Sequence, residues 1–250
     1  MFDNYKKLLF HIEDSYKGDK EKKELSNNYY GYLLYRKISF YITPFFILLS
    51  IKANTVTFIS FFFPFIILFS AFYCASAAYF YIFLFSVIYH ILDYVDGNIA
   101  RFLKTNNSLG QYLDSIVGNI YWTCLYISIG KIAQEQYIFN FSFENWGLLI
   151  SVFLSFLDIL SKQSRLYCRS HFKHITWNFV SKETEENKIN RSAKKILVDI
   201  FVGLQLAIPY LTLFFGFIGL SIASFAYIIV YVILSFLLVQ ISIVKKLKTI

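Results

Sequence analysis

The chain has 250 residues, 57% of them hydrophobic and 21% aromatic, and its mean hydropathy of +0.52 excludes an ordinary soluble domain. Its 24 lysines and arginines against 16 acidic residues give a net charge of +8. These basic residues flank apolar runs, so the charge reads as membrane orientation and contact with anionic lipid, with no nucleic-acid partner. Long apolar runs with only 10 glycines and 3 prolines predict an all-α integral membrane protein and exclude an outer-membrane barrel.

Residues 1–52 read as a cytosolic, interfacial N-terminal segment. Lys6, Lys7, Lys17, Lys20, Lys22 and Lys23 are mixed with Leu8, Leu9, Phe10 and Ile12, without the unbroken apolar core of a signal peptide. Residues 38–51 are apolar but short for a span and contain Pro44, which suits a segment lying on the membrane surface. Residues 53–250 read as a membrane domain of six transmembrane helices, at about 56–73, 77–92, 110–130, 146–161, 196–217 and 222–244. The second continues as helix through Arg101 and the fourth through Arg169. Of the 24 basic residues only Lys131 falls in a loop assigned outside, at 131–145. Both termini and the loop at 162–195 are therefore expected in the cytoplasm. The charged run from Ser181 to Ser192 reads as a solvated loop. Asp199, just inside the fifth span, has no partner visible in the sequence. Cys74, Cys124 and Cys168 form no metal-like cluster and read as packing residues.

The chemistry concentrates between Asp93 and Gly118, with the spacing D-x2-D-G-x2-A-R-x8-G-x3-D. Asp93 and Asp96 are three apart, so in a helix both carboxylates leave one face and can hold one hard cation. Gly97 and Ala100 continue that face with almost no side chain, which lets a ligand approach the backbone. Polar residues from Lys104 to Ser108 make a turn, and a second helix opening near Gly110 brings Asp114 back. All-oxygen donors without cysteine point to magnesium or manganese. Arg101 is a candidate partner for one of the carboxylates, the alternative being a salt-bridged helix end. His90, one turn before Asp93, is a candidate to orient an aspartate or act as a base, or else a packed histidine. Lys162, Arg165 and Arg169 line one helix face and suit either an acceptor phosphate or anionic lipid, with Asp158 four residues before Lys162 able to pair with it.

The spacing resembles the signature of the CDP-alcohol phosphotransferase (CDP-alcohol phosphatidyltransferase) family, integral membrane enzymes of phospholipid synthesis. Seven of the eight fixed positions match, namely Asp93, Asp96, Gly97, Ala100, Arg101, Gly110 and Asp114, and the eighth, an aspartate in the family, is Gly118. The resemblance implies transfer of a phosphoalcohol or phosphatidyl group from a CDP-linked donor to a hydroxyl acceptor, with release of CMP. The acceptor would be an alcohol, a polyol phosphate or a lipid. It further implies CDP held by Asn54, Thr57, Asp93, Gly97, Ala100, Arg101 and Gly110, with Asp93, Asp96 and Asp114 on Mg2+ or Mn2+. For Asn54 the alternative is helix capping. A homodimer in a bacterial inner (cell) membrane, its active site facing the cytoplasm, is also implied. The replacement at Gly118 raises a second reading, a non-catalytic relative that binds nucleotide or lipid. A channel or carrier fits less well, because the three carboxylates gather at one membrane face rather than at mid-depth.

Overall fold

The computed structural model describes residues 2–18, 21, 24–25, 29–74, 77–105, 107–135, 146–171 and 203–247. They are helical almost throughout, with no strand among them. An amphipathic helix α1 (Phe2–Tyr16) comes first. A π-helical turn at Tyr32–Arg36 then runs into α2 (Lys37–Leu48). Next come α3 (Ala53–Ser60), α4 (Phe63–Tyr73), α5 (Ala78–Phe102) and α6 (Ser108–Gln134). The order ends with α7 (Gly147–His171), α8 (Ile208–Phe217) and α9 (Ser221–Leu247).

Among the described residues, five stretches are long and apolar enough to cross a membrane: Ala53–Tyr73, Ala78–Phe102, Ser108–Gln134, Gly147–Cys168 and Ser221–Lys245. The expected span at 196–217 is described only in part. Residues 196–202, including Asp199, lie outside the described residues, and the described remainder is a helical turn at 203–206 followed by the ten-residue α8. Pro209, near the start of α8, has no N–H to carry a helix in from the preceding turn. Proline also divides the first span. Pro64 cannot donate to the carbonyl of Ser60, and the chain turns at Phe61 and Phe62 between α3 and α4.

Lipid-facing helices are apolar on the outside, and Phe58, Phe69, Phe153, Phe156, Val230 and Leu238 are exposed here. The core is apolar and aromatic, built from Ile67 and Ala71 of α4, Ile82 and Tyr89 of α5, and Tyr121, Leu125 and Ile129 of α6, closed by Leu154 and Phe225. Serines at the helix interfaces bond back to their own helix: Ser128 Oγ donates to the Cys124 carbonyl at 2.7 Å and Ser155 Oγ to that of Ser151 at 2.8 Å. Such small, internally satisfied hydroxyls let helices pack closely without an orphaned donor. A close backbone approach joins α6 and α7. A Cβ built on Gly130 would stand 2.6 Å from the Gly147 carbonyl oxygen, and one on Gly147 would stand 2.5 Å from that of Gly130. The two backbones therefore touch at this end.

Most of the apolar stretch at 38–51 is helical, as part of α2, and lies along the motif helix. Ile42, Phe46 and Ile47 pack toward Val56, Leu92, Val95 and Ile99, while Tyr41 and Phe45 face outward. Helix α1 covers α2 in turn, with Ile12 and Tyr16 buried against Phe40. The N-terminal segment is thus packed onto the helix that carries the motif.

Candidate active site

Three helix ends form the candidate site: the start of α3, the last three turns of α5 and the start of α6. Asn107 sets the beginning of α6, its side-chain oxygen accepting a hydrogen bond from the Gly110 N–H at 2.6 Å. That fixes the register that presents Asp114. The Asp93 carboxyl meets Asp114 within hydrogen-bonding reach, and Asp96 lies within electrostatic range of both. Asp93 and Asp96 are half-buried and Asp114 is exposed. Thr57 Oγ1 donates to Asp96 Oδ2 at 2.6 Å, tying the first span to the motif. Asn54, one turn earlier, reaches toward α6: a Cβ on Gly110 would stand 3.3 Å from Asn54 Oδ1 and 3.1 Å from Asn107 Oδ1. Asn54 is not the cap of α3, a position held by Lys52 without a side-chain hydrogen bond. Ala100 is half-buried one turn beyond Asp96.

Among the described residues no three His, Cys, Asp or Glu side chains close around a single point at metal-ligand distance. The donor chemistry nevertheless fits a hard divalent cation. Magnesium is commonly held by one or two carboxylates together with phosphate oxygens of a substrate, rather than by a complete protein cage. Asp93 against Asp114, with Asp96 beside them, supplies that kind of partial set.

Arg101 departs from the expected pairing with a carboxylate. Its guanidinium folds back over Gly97, where a Cβ would stand 3.2 Å from both terminal nitrogens, and Nη2 donates to Asn98 Oδ1 at 2.9 Å. The empty Gly97 position and the nearby Asn98 acceptor draw it along its own helix. Its Nε is buried without a hydrogen-bond partner, and Asp96 attracts it only at longer range.

Asn98 is the centre of a network that the sequence pattern does not reveal. Its amide nitrogen donates to Ser39 Oγ at 3.0 Å and to Thr43 Oγ1 at 3.1 Å, while its oxygen accepts from Arg36 Nη1 at 2.7 Å as well as from Arg101. Arg36 is 3% exposed, pairs with Glu24 and stacks over Tyr94 at 4.3 Å and Tyr16 at 4.8 Å. Tyr16 Oη donates to Glu24 at 2.7 Å. Burial and the neighbouring Glu24 carboxylate push the Tyr16 phenol well above its ordinary value, so it is a hydrogen-bond donor at any physiological pH. The N-terminal segment thereby holds Asn98, and through it Arg101.

His90 sits in an aromatic box. Its ring centroid lies 4.9 Å from those of Tyr35 and Tyr121 and 5.9 Å from that of Trp122, and its Nε2 is buried without a partner. It makes no hydrogen bond to Asp93, because the packing holds the imidazole among aromatic rings. The basic face on α7 is partly engaged. Lys162 pairs with the buried Asp158 at 2.8 Å, and Arg165 Nε donates to the Ser161 carbonyl at 3.3 Å. The side chain of Arg169 lies outside the described residues.

The model of a family described as CDP-alcohol phosphatidyltransferase matches residues 50–245. No curated protein and no solved structure matches the chain. The match takes in every motif position from Asp93 to Gly118 and all five candidate spans, while Tyr16, Glu24 and Arg36 lie before it. The chain therefore belongs to the CDP-alcohol phosphatidyltransferase family.

Proposed function

We propose that this integral membrane protein is a divalent-metal-dependent transferase that moves a phosphoalcohol or phosphatidyl group from a CDP-linked donor to a hydroxyl acceptor. The observation that most supports this reading is the meeting of Asp93 and Asp114 across two helices, with Asp96 held beside them by Thr57. Asp93, Asp96 and Asp114 would hold Mg2+ or Mn2+, and the chemistry such an ion supplies is neutralisation of the diphosphate and stabilisation of the departing CMP. Asn54, its side-chain oxygen close to the bare backbone at Gly110, would meet the nucleotide at the mouth between α3 and α6. Ala100 lets the diphosphate approach α5, and the Arg101 guanidinium, folded over Gly97 with an unpartnered N–H, would turn from Gly97 to meet it. The acceptor oxygen forms a bond to the phosphorus distal to the nucleoside as the bond to CMP breaks, and the acceptor proton is released. Lys162, Arg165 and Arg169 would take a phosphate on the acceptor, with Lys162 exchanging Asp158 for it. The setting is phospholipid or related glycan and lipid synthesis in a bacterial inner membrane.

The purified protein should release CMP from at least one member of a panel of CDP-alcohols when supplied with polyol, polyol phosphate and lipid acceptors. Omitting the divalent ion should remove that release. A second reading, a non-catalytic nucleotide binder, draws on Gly118, where no carboxylate stands. Stabilisation by CDP without CMP release from any donor would favour the binder.

The distribution of basic residues supports a cytoplasmic site. In a cysteine-free background, a cysteine at the exposed Glu135 should react with an impermeant maleimide in intact cells, and one at the exposed Thr105 only after permeabilisation. The reverse pattern overturns the orientation.

A further inference from the structure

Gly118 leaves a gap where the family pattern has its fourth carboxylate, and the structure shows what borders that gap. A Cβ built on Gly118 would meet one neighbour within 4 Å, the hydroxyl of Tyr89 at 3.8 Å. Tyr89 stands one turn before Asp93 on α5 and lies within electrostatic range of Asp93, Asp114 and Asp96. Its ring is 3% exposed and stacks flat on Tyr121, with centroids 4.0 Å apart and planes 6° apart, so the phenol oxygen is held at a fixed point beside the carboxylates.

The geometry points to Tyr89 as the residue that orients the acceptor hydroxyl, in the position left open by Gly118. This inference rests on the transferase reading above. A phenol both accepts and donates a hydrogen bond, whereas a carboxylate only accepts. The Tyr89 oxygen accepts from the attacking hydroxyl beside the Asp93, Asp96 and Asp114 carboxylates, which aims the acceptor oxygen without ionising the phenol. His90, enclosed among aromatic rings, does not face the carboxylates in this way.

Four proteins test it: the parent, Tyr89→Phe, Gly118→Asp and the double variant, each assayed for CMP release and for melting with and without Mg2+. Tyr89→Phe removes one oxygen and keeps the stacked ring. Its kcat should fall roughly 10- to 100-fold while KM for the CDP-linked donor and the Mg2+-dependent rise in melting temperature stay as in the parent. In the double variant the new carboxylate should restore most of the lost kcat, which a purely structural role for Tyr89 would not allow. Parent-like kcat in Tyr89→Phe, or a double variant no faster than Tyr89→Phe, overturns the inference and leaves the transferase reading intact. A parent that releases no CMP from any donor overturns the transferase reading itself and this inference with it.

Discussion

Asp93→Asn should lose at least about 100-fold in CMP release and should also lose the stabilisation that CDP adds in the presence of Mg2+. The argument starts from contact. Asp93 and Asp114 come from different helices and meet within hydrogen-bonding reach, with Asp96 close to both. Carboxylates so placed repel one another unless a proton or a cation lies between them. Removing the Asp93 charge relieves that repulsion, so the metal-free variant should melt at or slightly above the parent temperature. The same change removes a ligand, so adding Mg2+ and CDP should no longer raise the midpoint. The opposed signs separate loss of a site from loss of the fold. Equal stabilisation of parent and Asp93→Asn by CDP would mean that nucleotide binds elsewhere.

Arg36→Ala should destabilise the protein by about 3–5 kcal/mol, the range for removing one partner of a buried ion pair. Glu24, 8% exposed, would lose its guanidinium partner while keeping the hydrogen bond from the Tyr16 hydroxyl. Asn98 would lose one of its two guanidinium donors and Tyr94 the cation stacked on its ring. Glu24→Gln should cost less than Arg36→Ala, because the amide still accepts a hydrogen bond. It should nevertheless disturb the site, since Arg36 and Arg101 share Asn98 Oδ1 and Glu24 is the carboxylate that Arg36 pairs with. Replacing both partners with apolar residues, Arg36→Met with Glu24→Leu, should be less damaging than Arg36→Ala alone. Melting midpoints in detergent measure each step. Additive losses in the double variant would mean that the pair does not act as a unit.

The motif was legible because helical spacing alone puts Asp93, Asp96, Gly97 and Ala100 on one face, and because a polar turn before Gly110 returns Asp114 to them. Thr57 joined the site through the resemblance, and its bond to Asp96 supplies the physical reason. The Arg36 network was not legible. Its links to Tyr94 and Asn98 cross 58 and 62 residues of sequence, and no local period reports such a pairing. Asn98 fell at a variable position of the motif, where only its partners reveal its role. Tyr89 was hidden by composition, since in a chain with 20 tyrosines a tyrosine on an apolar helix face reads as core. The expected Arg101 pairing missed because one turn of helix offered a nearer acceptor in Asn98 than any carboxylate. The division of the first span follows from Pro64, a local rule that run length alone did not apply.

The glycine contact between α6 and α7 is the point about which any relative tilt of the two helices would pivot. With Gly130 and Gly147 touching backbone to backbone, the two helices have no slack at that end, and a relative tilt turns about it. Asp114 lies 16 residues from Gly130 along α6, a lever arm of about 24 Å at the helical rise. A tilt of about 5° then carries Asp114 through about 2 Å relative to α7 while the glycine contact stays in place. An angular change too small to unpack the bundle is enough to change the gap between the Asp114 carboxylate and the basic groups of Lys162 and Arg165.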